Sequence, residues 1–179
     1  AYVNWVVDVA KKESIDNLLF IARDGYLLKR VADAIISAHS LPIETHYIYG
    51  SRIAWRKPFE ESDKEAKGLL VRYFRQETEG LSSFALVEYM GTGITLDCLF
   101  EAVRTSSPEC KGCYYLYLSK RDDASLPAKR SMMRLNERFS NSMELLARAP
   151  HGQTLGYQQA DNGHIAPVME NLEGRALVE

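Results

Sequence analysis

The stretch Asn17–Ala38, NLLFIARDGYLLKRVADAIISA, decides the fold class. It opens with an unbroken apolar run, Asn17 to Ala22, of strand length. The run stops at Arg23-Asp24-Gly25. From Tyr26 the period changes: Leu27, Leu28, Val31, Ala32, Ile35 and Ile36 recur at helical steps of three and four residues. Leu41-Pro42 ends that pattern. A strand, a polar Gly turn and a helix in this order form one α/β unit.

The same order recurs downstream. Residues 45–49 read as a second strand, rich in aromatic and β-branched side chains, which runs into Gly50-Ser51-Arg52. A helix is expected over 64–76. Phe84–Met90 reads as a third strand, broken by Gly91-Thr92-Gly93 and followed by a helix over 95–104. Residues 113–118 read as a fourth strand. Strands that alternate with helices predict a parallel sheet covered on both faces, and unbroken apolar runs fit strands buried on both sides. Upstream, residues 2–13 read as a short amphipathic helix.

The last third departs from this rhythm. Met132–Ala149 reads as a helix, and Asp161-Asn162-Gly163 between two short strand-like runs predicts a β-hairpin. The expected architecture is α/β: a three-layer, Rossmann-like parallel sheet over residues 1–130, with a small helix–hairpin appendage over 131–179.

Composition bounds the function. Of 179 residues, 46% are hydrophobic and 26% charged, which excludes a disordered chain, and the net charge of −2 argues against a dedicated nucleic-acid binder. No apolar run approaches the roughly 18 residues of a membrane span. Three Cys are too few for a disulfide framework, so a reducing, cytoplasmic setting is expected. The chain begins at Ala1 and enters a helical pattern at once, which points to one domain of a longer protein with neighbouring domains as partners.

In an open parallel sheet, ligands bind beyond the carboxyl ends of the strands. Three polar Gly turns fall there. In Gly91-Thr92-Gly93-Ile94-Thr95, backbone N–H groups and the hydroxyls of Thr92 and Thr95 have the makings of a phosphate cradle, or of a tight turn with a Thr cap. Arg23, ahead of Asp24-Gly25, is suited to phosphate oxygens, and Asp24 to a metal or a helix cap. Ser51 and Arg52 follow the second strand. Residues 52–57, basic and aromatic, read either as a lid over phosphates or as a basic strand end. Cys110-Lys-Gly-Cys113 has CxxC spacing but precedes the strand, and reads as free thiols near a turn rather than a zinc site. His151, in Pro-His-Gly, is placed to reach the sheet edge as an acid or base, or to stand exposed.

Phe84–Val103, FALVEYMGTGITLDCLFEAV, resembles the phosphoribosyl-diphosphate loop of type I phosphoribosyltransferases, with Val87 in place of that family's first acid and Gly91 in place of its first Thr. The resemblance implies that Gly91, Thr92, Gly93 and Thr95 hold a 5′-phosphate, that Glu88 holds ribose hydroxyls, and that Arg23, Asp24 and Gly25 face diphosphate and Mg²⁺. FIARDGYLL is also similar to the first motif of the haloacid dehalogenase superfamily. Asp24 matches its second Asp, but Ala22 stands where the nucleophilic Asp belongs, which implies a degenerate phosphohydrolase. A third likeness spans most of the chain. FIARDGYLL, YIYGSR and RAPHGQTLGY resemble a bacterial FLARDG-type domain of surface-polysaccharide biosynthesis proteins, often labelled dehalogenase-like. That resemblance implies either a phosphate-handling enzyme or a non-catalytic module of a larger one. The expected ligand on the first reading is a phosphorylated sugar or nucleotide, with Asp24, Glu88 and His151 as the reactive groups.

Overall fold

The computed structural model describes residues 1–90, 94–103, 109–117, 130–134 and 149–171. The chain opens with α1 (Tyr2–Lys12), β1 (Asn17–Ile21), α2 (Gly25–Ala38) and β2 (Glu44–Ile48). Two short helices, α3 (Arg52–Trp55) and α4 (Lys57–Glu60), lead to α5 (Lys64–Glu77). Then come β3 (Ser83–Met90), α6 (Ile94–Val103), β4 (Glu109–Tyr117) and β5 (Arg130–Arg134). A hairpin of β6 (Thr154–Gln159) and β7 (Ile165–Met169) follows.

Five strands form one sheet in the order β2-β1-β3-β4-β5, and every neighbouring pair is parallel. β1 is buried along its whole length because it has a strand on each side and a helical layer on each face. The pleat divides its side chains. Leu18 and Phe20, with Ala85, Val87 and Tyr89 of β3, pack against α1 and α2 through Val6, Ala10, Leu28 and Ala32. Leu19 and Ile21, with Phe84 and Leu86, pack against α3, α5 and α6 through Trp55, Leu70, Phe74, Leu99 and Phe100. Each such Leu or Phe contributes about 1.5–3 kcal/mol by burial.

Local chemistry sets the helix limits. In α2, Leu28, Ala32 and Ile36 recur every fourth residue and are buried, while Lys29 and Asp33 pair on the outer side at 2.9 Å. Helix α5 is capped by Asp63, whose carboxylate accepts the Ala66 N–H at 3.0 Å. At the hairpin turn, Gly163 has φ +83°, a region open to glycine, and Asn162 Oδ1 accepts the His164 N–H at 3.0 Å.

Strand order fixes where the sheet opens. From β1 the chain enters a helix on one face, and from β3 a helix on the other. The crevice between the carboxyl ends of β1 and β3 is therefore a topological switch point.

Four expectations change. The helix expected from Met132 does not begin there: Met132–Arg134 belong to β5, paired in parallel with Tyr115–Tyr117. A short apolar run has no period that separates strand from helix, and the edge of β4 supplied the partner. Residues 135–148 of that expected helix lie outside the described residues, and Ala149 is not helical. Because β5 spans residues 130–134, the main sheet runs across the expected boundary at 130/131. Cys110 and Cys113 lie within β4 rather than ahead of it, since that strand starts at Glu109. Residues 52–57 are neither a lid nor a strand end: Arg52–Trp55 form α3, Lys57 opens α4 after a turn at Arg56, and Trp55 is completely buried. Indole burial outweighs the polarity of its neighbours.

The hairpin packs on the core. Tyr157 and Ile165 join the cluster of α3, α5 and α6. The Gln76 side chain on α5 meets both backbone groups of Ile165: its carbonyl accepts the N–H at 2.9 Å and its amide donates to the C=O at 3.1 Å.

Candidate functional site

At the carboxyl edge, β1 turns at Arg23-Asp24-Gly25 into α2. Gly25 is required by close approach: a Cβ there would stand 2.9 Å from the Phe20 carbonyl carbon and 3.0 Å from the Phe20 Cβ. Arg23 is exposed and Asp24 half-buried. Asp24 occupies the N-cap position of α2, but its side chain makes no capping hydrogen bond.

Next to this loop, the end of β2 presents Tyr47 and Tyr49. Tyr47 meets Tyr26 at 6.0 Å and Tyr49 at 5.3 Å, both edge to face. His151 arrives from the far end of the chain and closes the group, 5.8 Å from Tyr47 and 5.3 Å from Tyr49 between ring centres. Its Nε2 lies 2.8 Å from the Tyr47 hydroxyl and its Nδ1 2.8 Å from the Gly152 carbonyl. A carbonyl only accepts, so in the neutral ring Nδ1 carries the proton and Nε2 accepts from Tyr47. The Arg23 carbonyl is 3.5 Å from the same hydroxyl, too far to compete.

Burial first, then Tyr49, Asp24 and Tyr26, push the Tyr47 phenol above its ordinary range, and Arg23 works against them. Tyr47 therefore remains a neutral hydroxyl, and both Asp24 and Arg23 lie within electrostatic reach of it.

The other expected site residues distribute as follows. Ser51 Oγ accepts the Ala54 N–H at 3.0 Å and donates to the Thr154 carbonyl at 2.5 Å, so its one proton already ties α3 to the hairpin. Arg52 is exposed at the start of α3. Glu88 lies near the carboxyl end of β3, half-buried, and its carbonyl accepts the Tyr2 hydroxyl at 2.9 Å. Thr95 is in the first turn of α6. Gly91, Thr92 and Gly93 lie outside the described residues. The structure thus gathers Arg23, Asp24 and His151 around Tyr47, while Ser51 and Arg52 follow on from the same strand. Glu88 belongs to β3 and Thr95 to α6.

Tyr26, Tyr47 and Tyr49 were missed as site residues. The available signal was Tyr-x-Tyr at the carboxyl end of a strand, beside a Tyr that directly follows a Gly turn.

Among the described residues, no group of three or more His, Cys, Asp or Glu side chains is placed to hold a metal ion. A separate cavity of about 170 Å³ lies between α3–α4 and β6. Its charged lining is already occupied, with Lys57 3.6 Å from Glu61 and Asp63 capping α5. No helix among the described residues is long and apolar enough to cross a membrane.

Compared with models of known protein families and with curated proteins, the chain matches neither a family model nor a curated sequence.

Proposed function

We propose that the carboxyl edge of the sheet binds a phosphorylated sugar or nucleotide, in the manner of a Rossmann-like, phosphoribosyltransferase-like site. The observation that carries this reading is the seating of His151 on the Tyr47 hydroxyl beside Arg23-Asp24-Gly25. Residues 104 positions apart in the chain meet at the edge where parallel sheets take ligands. A charged Arg, a carboxylate, an imidazole and a phenol then share one small region. Arg23 meets phosphate oxygens, and the 91–95 turn is the expected cradle for a second anionic group.

Asp24 is the carboxylate of the β1 loop. One carboxylate with ligand phosphates is a usual way of holding Mg²⁺, so Asp24 suits an ion that arrives with a diphosphate. The chemistry of such an ion is charge neutralisation on a leaving diphosphate. The chain's own groups would position the anomeric carbon, with Glu88 toward ribose hydroxyls and His151 managing a proton through Tyr47. The FLARDG-type likeness supports a setting in polysaccharide biosynthesis, within a longer cytoplasmic chain.

Thermal-shift titration tests this with phosphoribosyl diphosphate, nucleotides and nucleotide sugars, with and without Mg²⁺. Stabilisation that is lost in Arg23→Ala and Asp24→Ala is expected. No stabilisation by any phosphorylated compound would sink the reading and leave a non-catalytic module.

A further inference from the structure

The hydrogen-bond chain at His151 has a fixed direction. Gly152 offers only an acceptor to Nδ1, so the ring proton is committed there. Nε2 is then a lone pair and takes the single proton of Tyr47 at 2.8 Å. What the pair still offers to a ligand is an acceptor, the second lone pair of the Tyr47 oxygen. Tyr47 is only half-buried, and the contact of its hydroxyl with the Arg23 carbonyl is exposed. The edge-on rings of Tyr26 and Tyr49 hold the phenol in place.

An acceptor facing a ligand discriminates. It repels the oxygens of a phosphate, which are acceptors too, and welcomes a hydroxyl. Arg23 beside it makes the opposite choice.

Resting on the phosphoryl-ligand reading, we propose that Tyr47, held by His151, is the specificity residue that selects hydroxyl-bearing phosphate esters, that is sugar phosphates, over phosphate alone. Tyr47 accepts a sugar hydroxyl while Arg23 takes the phosphate. His151 is the positioning residue that keeps the Tyr47 proton turned away from the ligand.

Calorimetric titration of the wild-type chain and of Tyr47→Phe with ribose 5-phosphate and with inorganic phosphate tests this. One added hydrogen bond should make the sugar phosphate bind about 3–10-fold more tightly than phosphate in the wild type. In Tyr47→Phe that ratio should fall toward one, with the inorganic phosphate affinity retained. Equal affinities in the wild type, or a ratio unchanged in Tyr47→Phe, would overturn the selection while leaving the phosphoryl site standing. Binding of neither compound would overturn the selection, and the thermal-shift series with phosphoribosyl diphosphate, nucleotides and nucleotide sugars then decides the phosphoryl site. Long-range ¹H–¹⁵N NMR of the wild type supplies a readout that does not depend on the variant folding. The proton of neutral His151 is expected on Nδ1, and a proton on Nε2 would overturn the proposal even if sugar phosphates bind.

Discussion

The indole N–H of Trp55 donates to the Tyr157 hydroxyl at 2.5 Å, joining the buried end of α3 to the hairpin strand β6. Tyr157 passes its own proton to the Tyr49 carbonyl at 2.7 Å, and its ring stacks on Tyr73 at 4.3 Å. The Tyr73 hydroxyl oxygen in turn accepts the Tyr49 N–H at 2.9 Å. Both backbone groups of Tyr49, whose own ring meets His151, are thereby tied to side chains.

Tyr157→Phe keeps the stack and removes the hydroxyl, leaving a buried indole N–H and a carbonyl without that partner. A loss of about 2–4 kcal/mol is expected from the two groups. Urea denaturation of the two proteins measures it, and a change below about 0.5 kcal/mol would show that the link contributes nothing beyond packing.

Gln76 acts as a short strand partner for the hairpin, satisfying both the N–H and the C=O of Ile165. Gln76→Leu should cost about 1–3 kcal/mol, because the backbone amide loses its acceptor where water has limited access. Faster hydrogen exchange at Ile165 should accompany it. Unchanged exchange would show that packing alone seats the hairpin.

Gly25→Ala forces a Cβ to 2.9 Å from backbone of β1, which cannot yield as a side chain would. Overpacking of this kind should destabilise by about 1–3 kcal/mol and displace the Arg23–Asp24 turn. A thermal melt of the variant at the wild-type midpoint would contradict the crowding.

His46, in the middle of β2, gives a pH signature. Asn17 donates through Nδ2 to the Ser83 carbonyl at 2.9 Å, so its Oδ1 faces His46 Nε2 at 3.1 Å and the imidazole must donate. Burial is the main cause that lowers the His46 pKa, with Lys29 acting the same way against Glu44 and Glu77. The unfolded chain therefore binds the proton first. This contribution to stability is complete above the unfolded value of about 6.5 and is lost as pH falls through the lower folded value. Denaturation midpoints between pH 8 and pH 5 should fall more steeply for the wild type than for His46→Gln, and parallel curves would dismiss the linkage.

Much of the fold was legible because it rests on local pattern. The change of period at Arg23-Asp24-Gly25 marks the end of β1 and the start of α2 to within a residue, and Asn162-Gly163 marks the hairpin turn. Where the pattern was short, pairing decided: Arg130–Arg134 became a strand because β4 had an open edge to receive it. Trp55 was misread for a related reason. Its neighbours in sequence are basic, but its neighbours in space are Leu70, Phe74 and Tyr157.

The candidate site divides along the same line. By itself the sequence determined a parallel α/β sheet with Arg23, Asp24 and Gly25 at a strand's carboxyl end, because hydrophobic period and turn chemistry act over a few residues. Only the tertiary structure decided that His151 meets Tyr47 there. That contact spans 104 residues and depends on a hairpin anchored by Trp55, Tyr157 and Gln76, whose partners no local pattern specifies. The direction of its hydrogen bonds follows from a single backbone carbonyl, that of Gly152, whose position relative to the imidazole exists only once the chain has folded.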